Sequence, residues 1–472
     1  MIMRCSSYDP GGIAAVVQKG MEELSVIPRG KIMVKPNCVI AHKELFPYAF
    51  TAAEFLDGVL RAVKAKGRNV QEVSVGERSG ITVPTRFCFK NAGYYPVIRK
   101  HGVRAYHFEE WRQIPIRLKS KHALRDVIFV PEPVARCDFL INLPKFKAHP
   151  WTRLTLSLKN FIGIQDDRHR LVDHNSFLEH KIADLQEAVQ PRFIAVDAII
   201  AGQKMMLTPE PFPIGAIIMG TNQCAVDTVC CHMVHLDPNE LVHLRLAAEK
   251  GFGPMDLSDI DISGDFPLDE VREKCRDFKF CWERIDSYFG QDSNIRCTVG
   301  SFPEEHAKDY CWGGCPGALQ EAIHIFEVFK PGVTSRLKKI RYVVGKVDQP
   351  LELADGERAL FAGDCTSWQG TLNGEEVVIS ADYRSREEVD VTRTKSNDML
   401  LNILGQLWHC FRKRKSRYLR AKGCPVSVAA HVNYLSTLGN IENVNFDRRV
   451  LFSINIAYWR MRAAKFWNRF FS

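Results

Sequence analysis

The 472-residue sequence lacks several features, and each absence narrows its function. No apolar run reaches the roughly 18 residues that a spanning helix requires, so no segment reads as crossing a membrane. Neither GxGxxG nor GxxxxGK followed by Ser or Thr occurs, which leaves a dinucleotide or P-loop cofactor unsupported. There is no compact ferredoxin-like run of cysteines, no internal repeat and no low-complexity segment. Zinc-finger, RRM-type and helix-turn-helix signatures are missing too, so nucleic acid is not an expected partner. The start, Met1 to Ser7, has no charged-then-apolar leader, and the 15 cysteines are scattered over a long chain. A reducing, cytoplasmic compartment is therefore expected, not a disulfide scaffold.

With 46% hydrophobic residues, the chain can bury sizeable cores and form two to three domains. Lys and Arg exceed Asp and Glu by 64 to 55, a net charge of +9. The excess gathers late, in Arg412, Lys413, Arg414, Lys415, Arg417, Arg420 and Lys422, which points to an acidic partner or surface. On a helical wheel of the last segment, Ile456, Trp459, Ala463, Phe466, Trp467, Phe470 and Phe471 share one face, with Arg462, Lys465 and Arg469 opposite. Such a helix either docks its aromatic stripe on the protein's own core or makes peripheral contact with a membrane.

Short apolar runs alternate with amphipathic stretches as far as Gly253, the rhythm of a mostly parallel sheet covered by helices. The expected architecture is an α/β domain over residues 1–255 and a smaller cysteine-containing α/β or α+β domain over 256–445. A basic amphipathic helix over 446–472 would follow. Lys31 to Lys35, Val73 to Gly76, Asp138 to Leu143, Phe193 to Val196 and Ala216 to Met219 read as strands of the first domain, and Arg341 to Val347 and Ala359 to Ala362 as strands of the second.

Ligands of open α/β sheets bind at the carboxyl ends of the strands, so the polar residues that follow each strand are the ones to collect. They are Lys35 and Asn37, Glu77, the set Lys145, Lys147 and His149, and Asp197. Lys145, Lys147 and His149 follow a period of two and share one side of an extended chain. Thr155, Lys159 and Asn160 come next. These residues are expected to hold an anionic small molecule, with Lys145, Lys147 and His149 as proton-transfer groups and Lys35, Asn37, Glu77, Thr155, Lys159, Asn160 and Asp197 as binding groups. A solvated basic loop is the plain alternative. His169 and His174 add a polar patch with metal or proton-transfer potential, and Asp197 and Asp227 could equally be capping residues.

In the second half, Cys311 and Cys315 sit in Tyr-Cys-Trp-Gly-Gly-Cys-Pro-Gly, Cys365 in Gly-Asp-Cys-Thr and Cys424 in Gly-Cys-Pro-Val. Four thiolates, neighbouring glycines and prolines directly after two of the cysteines suit a [4Fe-4S] cluster, which would make an electron-transfer protein a partner. Structural zinc and ordinary buried thiols are the alternatives, and Cys281 or Cys297 could replace a member of the set. The other cysteines, among them Cys38, Cys88, Cys224, Cys230 and Cys231, read as small core residues.

The segment Leu143-Pro144-Lys145-Phe146-Lys147-Ala148-His149, continuing into Thr155 to Asn160 and Gly163, resembles the DUF362 proteins, a group largely without assigned function whose members are sometimes attached to iron-sulfur modules. Lys35-Pro36-Asn37, Gly220-Thr221-Asn222 and Ala225-Val226-Asp227 add to the likeness, which covers about residues 30 to 250. It implies an α/β fold and a Lys/His/Asn crevice, and it supplies no reaction. The Gly-Cys-Pro setting of Cys424 is similar to a ligand segment in the cluster-binding subunits of hydrogenases and respiratory complexes. Two functions follow: an iron-sulfur redox protein acting on an anionic small molecule, or a non-redox acid-base enzyme (isomerase, lyase or transferase) with structural cysteines. A peripheral membrane or scaffold role is the third.

Overall fold

A computed structural model describes residues 1–472 apart from 82, 121–122, 167–169, 171–176, 282–283, 290–292, 305–309, 373, 383–398 and 472. His169 and His174 lie outside the described residues, as do the side chains of Arg469, Phe470 and Phe471. The chain divides into two compact units. The first holds Met1–Arg170, Phe177–Cys281 and Ser453–Ser472, and the second holds Trp282–Phe452. The first unit thus runs past the boundary at 255 read from composition, and takes in most of the final helix.

The strands of the first unit are β1 (Ile2–Arg4), β2 (Gly30–Pro36), β3 (Val70–Glu77), β4 (Arg104–His107), β5 (Gln113–Arg117), β6 (Val127–Pro131), β7 (Phe139–Leu143), β8 (Lys145–His149), β9 (Arg153–Thr155), β10 (Phe193–Gln203), β11 (Glu210–Phe212) and β12 (Ala216–Gly220). Ten of them form one sheet, with the main order β1-β12-β10-β7-β2-β3-β4, while β5 and β6 pair separately. From β10 across to β4 the pairings are parallel. Every residue of β7 is buried, as expected for a parallel strand covered on both faces.

β12 lies antiparallel to β10, although the sequence reading placed both in the parallel pattern. The stretch between them holds only the short hairpin strand β11, which cannot make the crossover that parallel pairing needs. A second departure follows β7. There the chain forms the antiparallel hairpin β8-β9 before its short helix Ser157–Asn160. At Pro144 the chain moves on along β10, Asp197 N–H donates to Pro144 O at 2.9 Å, and Lys145 comes opposite Asp197.

In the second unit β13 (Ile295–Val299), β14 (Ile340–Lys346) and β15 (Arg358–Leu372) run parallel, and β17 (Tyr418–Ala421) pairs parallel with β15. The far half of β15 turns into an antiparallel pair with β16 (Glu375–Ile379). The helices Cys315–Phe329 and Val428–Gly439 complete an α/β layer. Val343, Ala359, Phe361, Trp368 and Ile379 are buried together, with the Phe361 and Trp368 rings stacked at 5.7 Å.

On the final helix, Arg448–Phe471, Ala457 and Tyr458 are buried, whereas Trp459, Phe466 and Trp467 stay more than half exposed. The aromatic stripe drawn from the helical wheel is therefore not the face that docks on the core.

Truncating Phe361 to alanine removes a fully buried ring from the second unit's core and is expected to destabilise that unit by about 3–5 kcal/mol. Urea unfolding followed by tryptophan fluorescence measures this. A loss below about 1 kcal/mol would show that the Phe361–Trp368 cluster does not hold the unit together.

Candidate functional site

The first unit collects buried charge at the carboxyl ends of its parallel strands. Lys35, near the end of β2, donates to Glu77 at the end of β3 at 2.9 Å, and both are fully buried. Glu77 also accepts from the backbone N–H groups of Cys38 (3.1 Å) and Arg78 (2.8 Å). Burial drives both partners toward their neutral forms, Lys35 down and Glu77 up, while the ion pair opposes this in each. Gly163 lies against the pair: a Cβ there would clash with Glu77 Oε1 and lie 2.9 Å from Lys35 Nζ.

Lys145 is committed to a second pair. Its Nζ donates to Asp197 Oδ2 at 3.0 Å and to the Tyr8 hydroxyl at 2.9 Å, and Tyr8 donates to Asp197 Oδ1 at 2.8 Å. Asp197 Oδ2 accepts in addition from Ala52 N–H, at the start of the helix Ala53–Lys66, at 3.0 Å. Burial lowers the pKa of Lys145, and the Asp197 charge opposes the shift. Asp227 is likewise placed by backbone. It accepts from Ser157 and Leu158 N–H at 2.9 Å each and so caps the short helix Ser157–Asn160, with its carboxyl pushed by burial to about 7.

Beside these pairs lies a small cavity that is partly open to solvent. Asn37, Glu77, Lys147, His149, Thr155, Lys159 and Asn160 line it, as the polar strand ends predicted, and Arg78, Arg170 and Met206 join them. Lys35, Lys145 and Asp197 are not among the lining residues. Sequence reasoning missed Arg78, which directly follows Glu77 at a strand end, and singled out His169 and His174 in the polar stretch that holds Arg170, not Arg170 itself.

Each polar group around the cavity has a distinct setting. Lys147 Nζ donates to Ala49 O at 2.7 Å and Met206 O at 3.3 Å. His149 Nδ1 accepts from Trp151 and Thr152 N–H at 3.1 and 3.2 Å, so the neutral ring carries its proton on Nε2. Lys159 makes no hydrogen bond or ion pair among the described residues. Burial, with Lys147 and Arg170 nearby, lowers its pKa to about 7. Asn160 belongs to a chain of buried amides: Asn37 Nδ2 donates to Asn160 Oδ1 at 3.0 Å, and Asn160 Nδ2 to Asn142 Oδ1 at 2.8 Å. Asn37 Oδ1 and Thr155 Oγ1 have no hydrogen-bond partner among the described residues, and both residues are at least nine-tenths buried. Buried polar atoms are normally satisfied, so two orphans on residues lining one cavity point to a ligand's hydrogen bonds.

In the second unit Cys311, Cys315, Cys365 and Cys424 line one small cavity, together with Phe302, Val344, Gly363, Gly423 and Pro425. Three segments bring them there. Cys311 and Cys315 flank the start of the helix Cys315–Phe329, Cys365 lies within β15 where its register with β14 shifts, and Cys424 follows β17. The latter two loops are tied by Asp364 N–H to Gly423 O at 3.1 Å and Gly423 N–H to Asp364 Oδ1 at 2.8 Å. Gly363, at φ +104°, admits both sulfurs: a Cβ there would lie 3.3 Å from Cys315 Sγ and 3.6 Å from Cys365 Sγ. Val426 N–H points at Cys315 Sγ at 3.3 Å. Burial raises the pKa of the Cys365 thiol and pushes that of Cys311 up to about 12, so bare thiolates are disfavoured in this apolar pocket. Among the described residues, no three His, Cys, Asp or Glu side chains gather at the spacing of a single metal ion.

Replacing Gly163 with alanine forces a methyl group against the Lys35–Glu77 pair, and is expected to destabilise the first unit by about 1–3 kcal/mol. A urea midpoint equal to that of the parent would disprove the close packing.

The model for DUF362, a domain of unknown function, matches residues 32–232, a span that contains every residue lining the first cavity. A thylakoid-associated protein of Synechocystis is 22% identical over 288 residues, covering 58% of this chain and 84% of its own. Two solved structures align at low similarity and carry no argument about function. A Thermotoga maritima protein has a TM-score of 0.33 and 10% identity, with 72% of each chain covered. The lactate racemase apoprotein of Thermoanaerobacterium thermosaccharolyticum has a TM-score of 0.32 and 8% identity, with 77% of this chain and 83% of its own covered. Residues 32–232 of the first unit, which include the crevice, are thus similar to DUF362, a domain of unknown function.

Proposed function

We propose that the protein is an iron-sulfur redox protein whose first unit binds an anionic small molecule. The observation that carries the binding half is the combination of Lys159, without an ion-pair partner among the described residues, and the orphaned Asn37 Oδ1 and Thr155 Oγ1 around one cavity. Lys147 and Arg170 add positive charge there, while Arg78 is paired with Asp166 at 3.8 Å and the Glu77 carboxylate with Lys35. An anion with a hydroxyl or amide donor meets all of these needs: the cations take the charge, and the orphaned oxygens accept the donor's hydrogen. Lys35 and Lys145 then serve as structural charges that hold the strand ends. His149, with its proton on Nε2, and Lys159, near neutrality, are the groups placed to give or take a proton.

The redox half rests on the shared cavity of Cys311, Cys315, Cys365 and Cys424. Four sulfurs from three segments, a glycine that lets the backbone approach, and an N–H directed at Cys315 Sγ suit thiolate ligation of a [4Fe-4S] cluster. The cluster would supply one-electron transfer; the chain's own part is to hold the thiols in an apolar, water-poor pocket. Thiols that are neutral when empty would release protons on loading. The second reading is a non-redox acid-base enzyme, favoured by the same Lys159 and His149 and needing no cluster.

Two measurements follow. Sulfate, dianionic across the range, is expected to bind the first unit's crevice. Because Lys159 must be protonated to attract it and its pKa lies at about 7, binding should hold below that pH and weaken above it. The loss is expected to be up to about tenfold per pH unit, and absent in Lys159→Met. A sulfate affinity independent of pH in the parent would remove Lys159 from the site. The second measurement is anaerobic purification with iron and acid-labile sulfide analysis. About four of each per chain are expected, and both should fall away in Cys311→Ala and Cys424→Ala. A parent free of iron and of zinc would end the redox reading and leave the acid-base one.

A further inference from the structure

The helix Met399–Arg412 of the second unit has one face in use and one exposed. Its inner face meets the helix Val428–Gly439: Cys410 is buried with Sγ toward Asn433 O at 3.8 Å, and Asn433 Nδ2 donates to Gln406 Oε1 at 3.2 Å. His409 lies edge-on to Tyr434 with ring centroids 6.2 Å apart. On the opposite face Leu404, Trp408 and Phe411, spaced i, i+4 and i+7, are 50%, 61% and 56% exposed. The Trp408 and Phe411 rings stack at 5.9 Å, and the Arg414 guanidinium sits 4.4 Å over Phe411. This apolar strip runs directly into Arg412, Lys413, Arg414 and Lys415, which are all exposed. None of the four makes an ion pair among the described residues, and no Asp or Glu occurs from 399 to 427.

We propose that this face docks on the surface of an anionic lipid bilayer. Leu404, Trp408 and Phe411 would lie in the interfacial layer, and the four cations would meet headgroup phosphates. The argument is one of complementarity. Exposed apolar side chains of this size need an apolar partner, aromatic rings favour the boundary between hydrocarbon and water, and an uncompensated basic cluster beside them selects a negative surface. A peripheral mode is the one available, because no helix among the described residues is long and apolar enough to cross a membrane. The helix Arg448–Phe471 carries the same chemistry independently. Phe452 and Trp459 are 70% and 64% exposed, and the helix holds several basic residues and no acidic one. This inference does not depend on the crevice or on the cysteine cavity.

Flotation of the full chain with phosphatidylcholine vesicles, with and without phosphatidylglycerol, tests it. Binding is expected only to the phosphatidylglycerol vesicles and should fall with added salt. The double variant Trp408→Ser, Phe411→Ser should weaken it by about tenfold or more. The double variant Phe452→Ser, Trp459→Ser separates the contribution of the final helix. All four side chains are exposed, so an unchanged thermal midpoint serves as the folding control. A parent that binds neither vesicle, or a Trp408/Phe411 variant that binds as the parent does, overturns the proposal. So would binding of a single-stranded oligonucleotide in place of lipid, since the surface would then belong to nucleic acid.

Discussion

The first unit depends on charges buried at the carboxyl ends of parallel strands. Lys35 with Glu77, and Lys145 with Asp197, are removed from water almost completely, and an unpaired charge in either place would be strongly destabilising. Each carboxylate is held further by backbone N–H groups: Glu77 by Cys38 and Arg78, Asp197 by Ala52. The pairs thereby join strands, loops and a helix start that are remote in sequence. Gly163 has room for no side chain because it closes over one of them.

With these charges satisfied, the cavity between them inherits the unsatisfied ones. Lys159 is partly withdrawn from water beside Lys147 and Arg170 and gains no carboxylate partner among the described residues, so its proton is weakly held near neutral pH. The amide chain from Asn37 through Asn160 to Asn142 orients the side chains so that Asn37 spends its donor on Asn160 and its acceptor finds no partner among the described residues. Such an arrangement is preorganised, since the ligand completes hydrogen bonds and the protein need not rearrange to offer them. The second unit uses backbone in a similar way: the reciprocal bonds between Asp364 and Gly423 set two cysteine loops beside one another before any cofactor is present.

Several parts were legible from residue order. Strands β2, β3, β7, β14 and β17's neighbour β15 show in short apolar runs, and the polar residues after them proved to include seven that line the cavity. The period of two over Lys145, Lys147 and His149 corresponds to strand β8. Other parts were not legible. The antiparallel entry of β12 depends on the missing crossover after β10, and Ile456, Trp459, Phe466 and Trp467 of the aromatic stripe are exposed while Ala457 and Tyr458 take the buried face. Cys365, placed just after a strand by its apolar prelude, lies inside a longer one whose second half pairs with β16.

The sequence by itself determined the local chemistry: which segments extend or coil, and which lysines, amides and thiols stand at their ends. These follow from side-chain periodicity and turn residues a few positions apart. Only the tertiary structure decided which of the lysines are neutralised. Lys35 and Lys145 find carboxylates 42 and 52 positions away, whereas Lys159 finds none among the described residues. Pairing and desolvation are set by distance in space and by what the sheet and its helices cover, and neither quantity is carried by spacing along the chain.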